Sequence, residues 1–319
     1  MARFDSQQSL ERLSSPSVWE SLTGRSVTGV ITVHTFWETL RQPVALVVLA
    51  LAGAMLLVLF RTPFFVHEDD VKMYKDLGMT IILAAVLIVC VFAASKVVHE
   101  ELENKTMLLL MSKPLSRRQV IVGKFLGIVL AAAACVFVLG LLLVVTTYVR
   151  TWLDDPLTAK GIGGPEAIAQ LRRRAWEHVG SVLPGLVLVW LQIATLVSLA
   201  VALSTRFSMA VTLTLCVVLF FAGHLSFDLN RVLADAPWPL MLLGKAVVLV
   251  LPYLENFNIT ELLAYRPVSF FGQTVQAEGG AVAYSDVWLY ILPVALYAVV
   301  YCTAALLVAM WLFRKRELA

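Results

Sequence analysis

Residues 100–127 read EELENKTMLLLMSKPLSRRQVIVGKFLG and lie between two uncharged apolar runs, 79–95 and 125–149. A helix needs about 20 mostly apolar residues to cross a bilayer, so each run can span one. The stretch between them is then a connection in water beside the membrane. It carries Lys105, Lys113, Arg117, Arg118 and Lys124, with Lys96 just before it, which predicts the cytoplasmic side. It also holds an apolar ridge, Met107-Leu108-Leu109-Leu110-Met111, closed by Pro114. A solvated loop has no use for such a ridge. A short helix that lies on the membrane or fills a groove of a soluble partner does.

Composition places the chain in the same class. Hydrophobic residues make up 60% and charged residues 15%, with a mean hydropathy of +0.83. Soluble domains are about a quarter charged. The cysteines Cys90, Cys135, Cys216 and Cys302 all fall inside apolar runs far apart in sequence, which predicts small buried hydrophobes rather than a disulfide frame or a metal cluster. The net charge of +3 points to no particular partner, and no nucleic-acid partner is expected. Residues 1–42 lack the apolar region of a cleavable signal, so the first span is expected to insert and stay.

Hydropathy predicts an all-α integral membrane protein with six transmembrane helices at 44–60, 77–95, 125–149, 182–204, 209–225 and 287–313. Residues 1–43 form the inner N-terminus and 44–313 the membrane domain. The latter has a cytoplasmic loop over 96–124 and outer loops over 61–76, 150–181 and 226–286; a basic tail, 314–319, follows. Both termini are then cytoplasmic, and the chain is a multi-pass protein of the inner membrane. Arg172-Arg173-Arg174 on the outer side is an exception to the positive-inside bias, and the expected account is a surface helix over 166–178 with its arginines in water or lipid headgroups. Before the first span, Val27, Val30, Ile31, His34 and Trp37 recur at helical spacing, with Thr28, Thr32, Thr35 and Glu38 opposite. That pattern predicts an amphipathic helix in the inner interface, turned into the span at Pro43. Residues 237–251 are apolar but contain Lys245 and end at Pro252, which predicts a re-entrant hairpin or an outer-surface helix.

Absent motifs narrow the function. No G-x-x-x-x-G-K-[ST] phosphate loop occurs in the sequence, so ATP is not held here in that way. The predicted spans carry no Asp, Glu, Lys or Arg at their centres, whereas ion-coupled carriers and intramembrane proteases need ionisable groups there. Gln192 and His224 are the strongly polar side chains near membrane depth. Transport energy would have to come from a partner. His99-Glu100 lacks the second histidine of a zinc helix, and His67-Glu68-Asp69-Asp70 reads as a hydrated loop, so no metal site is expected.

The order of acidic residues, Thr106, a Leu-rich turn, Lys113-Pro114-Leu115-Ser116-Arg117 and then Gly123-Lys124 resembles the membrane permease of type-2 ABC exporters. Glu38-Thr39-Leu40-Arg41-Gln42-Pro43, Leu251-Pro252-Tyr253-Leu254-Glu255-Asn256-Phe257-Asn258 and Phe313-Arg314-Lys315-Arg316-Glu317 extend the likeness. The resemblance implies that this loop is a coupling helix contacting a separate ATP-binding-cassette ATPase, through Glu100, Glu101, Glu103, Lys105, Thr106, Leu109, Lys113, Pro114, Leu115, Ser116 and Arg117. It further implies a second permease copy, identical or paralogous, and ATP with Mg in the ATPase rather than in this chain. The permease itself would not be an enzyme.

Other readings stay open at this level. The loop could serve a membrane anchor or assembly factor that recruits cytoplasmic proteins, and the outer loops a lipid-modifying enzyme. Gly123, Gly127, Ala131 and Cys135 form a small-residue stripe suited to intrachain packing or a dimer contact. Gln192, Thr195, Tyr297 and Tyr301 either line a path or bond and anchor neighbouring helices. An amphipathic or apolar substrate suits spans without charges.

Overall fold

The computed structural model describes residues 27–62, 70–103, 117–154, 164–234, 251–258, 268–269 and 282–314. Seven α-helices account for nearly all of them: α1 (Val27–Arg41), α2 (Pro43–Arg61), α3 (Asp70–Glu103), α4 (Arg117–Asp154), α5 (Pro165–Ser204), α6 (Met209–Ala234) and α7 (Tyr284–Arg314). A 3-10 turn, Leu254–Phe257, precedes α7, and two short strands, β1 (Val268–Ser269) and β2 (Val282–Ala283), pair in parallel.

The breaks follow local chemistry. Proline disfavours the α conformation in the residue before it, and Gln42 is extended at ψ 130°, so α1 stops at Arg41. Pro43 then opens α2, where a missing N–H costs nothing. The far end of α2 stops in the same way at Thr62, extended at ψ 122° before Pro63. Pro165 opens α5 behind Gly164, with Glu166 in the positive first turn.

Five helices are long and apolar enough to cross a membrane: α2, α3, α4, α5 and α7. The apolar stretch of α6, Met209–Leu225, is shorter than these. Helix α5 is the hub: 72% of its most apolar window is buried, against 17% for α2. The main core fills the space between α3, α4 and α5 with Ile82, Val86, Ile128, Ala132, Ile193 and Val197. On the flank of α4, the Trp190 indole N–H reaches the Val129 carbonyl at 3.1 Å. All four cysteines are free and buried, as expected of small core residues.

The expectation of an outer surface helix fails. Residues 166–178 are not a separate surface helix; they are the first turns of α5, which runs on through Pro184 to Ser204. At about 1.5 Å per residue, its 40 residues reach roughly 60 Å, twice the hydrocarbon thickness of about 30 Å. The first turns therefore project beyond the lipid core while staying packed, with Leu171, Ala175 and Val179 buried.

Polar groups gather at that same end. Arg150 donates to the Leu59 and Thr62 carbonyls, both at 3.0 Å, capping the C-terminus of α2 where a cation suits the helix dipole. Its guanidinium also stacks 5.2 Å from the Tyr74 ring centre and lies 3.8 Å from Asp70. Tyr74 and Thr146 share a 2.6 Å hydrogen bond between α3 and α4, and the buried Lys75 ammonium donates to Ser181 Oγ of α5 at 2.9 Å. The apolar runs keep their charge-free centres, and the cations sit where the helices leave them.

Candidate functional site

Two regions hold the residues singled out from sequence, one at an end of the bundle and one at mid-depth. The first is built on α3 and α4. Tyr74 meets Thr146, and a Cβ on Gly78 would strike Leu143, so the two helices run antiparallel in register. The C-terminal end of α3 and the N-terminal end of α4 therefore lie at one end of the pair. Glu100, Glu101 and Glu103 occupy the last turns of α3, and Arg117 is the first residue of α4. The loop expected over 96–124 is thus helical at both ends. Lys105, Thr106, Leu109, Lys113, Pro114, Leu115 and Ser116 lie outside the described residues, as do residues 237–250 of the segment 237–251 expected to be re-entrant or on the surface.

Helix α1 packs onto the first turns of α4. A Cβ on Gly123 would come within 3.0 Å of Ile31, and one on Gly127 within 2.7 Å of the Thr32 carbonyl oxygen. Thr32 Oγ1 donates to its own-helix carbonyl at Thr28 (2.8 Å) and lies 3.1 Å from the Gly123 carbonyl oxygen. Thr39 bonds back to Thr35 in the same way at 2.8 Å, and both residues are buried. The threonine face, read from sequence as the water side, is therefore the packed side. Val30, Val33 and Trp37 are left exposed, with the Arg41 guanidinium 5.4 Å from the Trp37 ring centre. Gly123 and Gly127 serve intrachain packing by letting a second helix approach closely.

The mid-depth region joins α5, α6, the 3-10 turn and α7. His224 Nδ1 donates to the Phe220 carbonyl at 3.0 Å, which leaves Nε2 as acceptor for the Gln192 amide at 3.3 Å. Gln192 itself is buried, and the two polar side chains satisfy one another across α5 and α6. Thr195 and Ser198 donate to the Leu191 and Thr195 carbonyls, at 2.9 and 2.6 Å, and both hydroxyls also meet the Cys302 thiol of α7. The Tyr297 hydroxyl accepts the Tyr253 backbone N–H at 2.9 Å, and Tyr290 donates to the Asn256 carbonyl at 3.1 Å. Those bonds hold 251–258 against α7. Leu254 is fully buried, and a Cβ on Gly223 of α6 would lie 2.7 Å from it. Tyr301 packs against Tyr297 with ring centres 6.0 Å apart and planes tilted by 41°.

Of the four residues singled out at this depth, Gln192, Thr195 and Tyr297 thus tie elements together. Sequence reasoning missed their partners, His224 for Gln192 and Tyr253 for Tyr297. Polarity at membrane depth marked His224, but the pairing joins positions far apart in sequence.

A bundle built on five helices long and apolar enough to cross a bilayer is a multi-spanning helical membrane protein. The family model for ABC-2 family transporter proteins matches residues 5–318, nearly the whole chain, and the chain belongs to that family. It is a transmembrane permease of the ABC transporter class, a transport component. No curated protein matches the sequence.

Proposed function

We propose that the chain is the permease subunit of an ATP-driven exporter, worked by a separate ATPase through residues 100–118. The observation that carries this reading is the return of α3 and α4 to one end of the bundle. There they present Glu100, Glu101 and Glu103 on one side and Arg117 on the other of a segment whose sequence is an apolar ridge. Acidic residues before the ridge and basic residues after it give a docking helix a polarity, and the ridge gives it affinity. Two permeases, identical or paralogous, would stand over two ATPases that hold ATP and Mg. Closure of the ATPases would push on this segment. Because α3 and α4 are continuous with it and form the core with α5, the push would reach the membrane as a tilt of packed helices. In this reading α6 completes six spans, both termini are cytoplasmic, and Gln192, Thr195, Tyr297 and Tyr301 flank the path of an amphipathic substrate.

The test is assembly. The purified chain should show no ATP hydrolysis, and co-expression with its cognate ATPase should give a stable complex with equal numbers of the two subunits. Nucleotide turnover by the permease alone, once contaminants are removed, would overturn the division of labour.

Topology is checked separately with single cysteines in the intact membrane. Cysteines at positions 69 and 278 should react with an impermeant maleimide from outside, and those at 104 and 317 should not. Outside labelling at 317 would require an odd number of crossings.

A further inference from the structure

On one face of helix α5, exposed side chains stand on either side of the buried stretch 179–182 and differ in character. Leu183 is 44% exposed, Trp176 is 59% exposed, and Arg172 is exposed one turn further from the bundle centre. At 100° per residue, positions 172, 176 and 183 fall within about 40° of one face. Along the axis Trp176 sits about 6 Å from Arg172 and about 10 Å from Leu183. Helix α4 continues the pattern beside it: Leu141 and Val145 are exposed, and Tyr148, on the same face, meets Trp176 with ring centres 5.9 Å apart and planes tilted by 59°. Arg173 flanks the stripe, its Nε held 3.2 Å from Glu177.

Apolar side chains, then aromatic rings, then guanidinium groups is the order in which a bilayer offers acyl chains, glycerol and phosphate. Exposed leucine and valine on a membrane protein face lipid tails, and tryptophan favours the headgroup boundary. Arginines at the next turn stand at phosphate depth, where a planar guanidinium binds two oxygens at once. We propose that the seam between α4 and α5, at the end of the bundle away from residues 104–116, seats an anionic phospholipid. Its phosphate lies on Arg172 with Arg173 alongside, its glycerol against Trp176, and an acyl chain along Leu141, Val145 and Leu183. This seat gives a role to Arg172 and Arg173 of the three consecutive arginines.

The experiment uses the full chain reconstituted in phosphatidylcholine vesicles. Phosphatidylglycerol or additional phosphatidylcholine with brominated acyl chains is titrated in, because bromine quenches tryptophan on contact. The chain has eight tryptophans, so the Trp176 signal is the difference between the native protein and Trp176→Phe. Quenching at Trp176 should favour phosphatidylglycerol by about fivefold per arginine engaged, from roughly 1 kcal/mol per basic residue at an anionic surface. Arg172→Gln with Arg173→Gln should bring the preference close to one while quenching by both lipids persists, showing that the protein is still folded and inserted. Equal quenching by both lipids in the native protein would overturn the proposal, as would a preference unchanged in the double variant. No quenching by either lipid would place the stripe off the bilayer, against an acidic protein or in water, and would overturn it too. The readout involves no ATPase, so its failure leaves the transport reading untouched.

Discussion

Replacing Leu109 by Asp is expected to abolish both capture of the ATPase by the permease and transport, while the variant still inserts in the membrane. Leu109 is the centre of the ridge Met107–Met111 in the segment that joins α3 to α4. In a docked helix that ridge is the buried part of the contact, and central buried side chains carry most of the affinity of an interface. A carboxylate there is an unpaired charge driven into an apolar groove, at a cost of about 3–5 kcal/mol. That corresponds to a loss of a hundredfold or more in affinity. Glu103→Lys is the informative companion. A rim charge contributes about 0–1 kcal/mol, so coupling should weaken only a few-fold. Insertion is insensitive to either change because neither residue lies in a predicted span. The measurements are ATPase pull-down and transport on matched membranes. Normal values of both for Leu109→Asp would remove the coupling assignment and most of the case for an ATP-driven exporter.

The spans were legible because hydropathy reports where lipid is. The run 44–60 became α2, Pro43–Arg61, almost residue for residue, since proline or extended backbone closes both ends. The run 77–95 became α3, Asp70–Glu103, which is longer at each end. Hydrogen bonding does not stop where lipid stops: Tyr74 and Lys75 are charged or polar for the hydropathy window, yet buried bonds to Thr146 and Ser181 make them core. The same blindness divided α5. Nothing at Gly180, Ser181 or Pro184 ends the helix, but the change from arginines to valines and leucines looks like an element boundary in sequence.

The threonines of α1 misled for a different reason. A scale that counts every hydroxyl as water-seeking assigns Thr28, Thr32 and Thr35 to the solvent. In the helix, Thr32 and Thr39 donate to the carbonyl four residues back, and what remains outside is a small methyl surface. Such a surface fits glycine. Gly123 and Gly127 were visible as a stripe able to receive a helix, and only the identity of that helix was not. The mid-depth pairs are harder still. Gln192 with His224, and Tyr297 with Tyr253, are long-range contacts set by how α5, α6 and α7 pack, which no local pattern encodes.

The α1–α4 contact carries the second large expected effect. Gly127→Leu should detach α1 from α4 and impair transport at least tenfold without preventing membrane insertion. A Cβ at position 127 alone would stand 2.7 Å from the Thr32 carbonyl oxygen and 2.7 Å from Thr35 Cβ. The first of these is backbone, so no rotamer change relieves it, and a leucine adds three more carbons in the same direction. Overpacking of this kind costs about 1–3 kcal/mol when neighbours can shift. Here the neighbour is a whole helix, held to this part of α4 by close packing that includes the Thr32–Gly123 approach at 3.1 Å, so displacement is the cheaper response. The consequence for transport follows from position. Helix α1 covers the first turns of α4, through which a push on residues 104–116 would enter the bundle, and without that brace the turns can flex and absorb it. Thr35→Cys makes the displacement visible: the side chain is 2% exposed against Gly127, and cysteine is smaller than threonine. Its thiol should resist maleimide in the otherwise native protein and react once Gly127→Leu is added. Leu130→Phe, on an exposed face of α4, is the control that should change neither readout. A protected thiol together with normal transport in the Gly127→Leu protein would mean that α1 is not a brace.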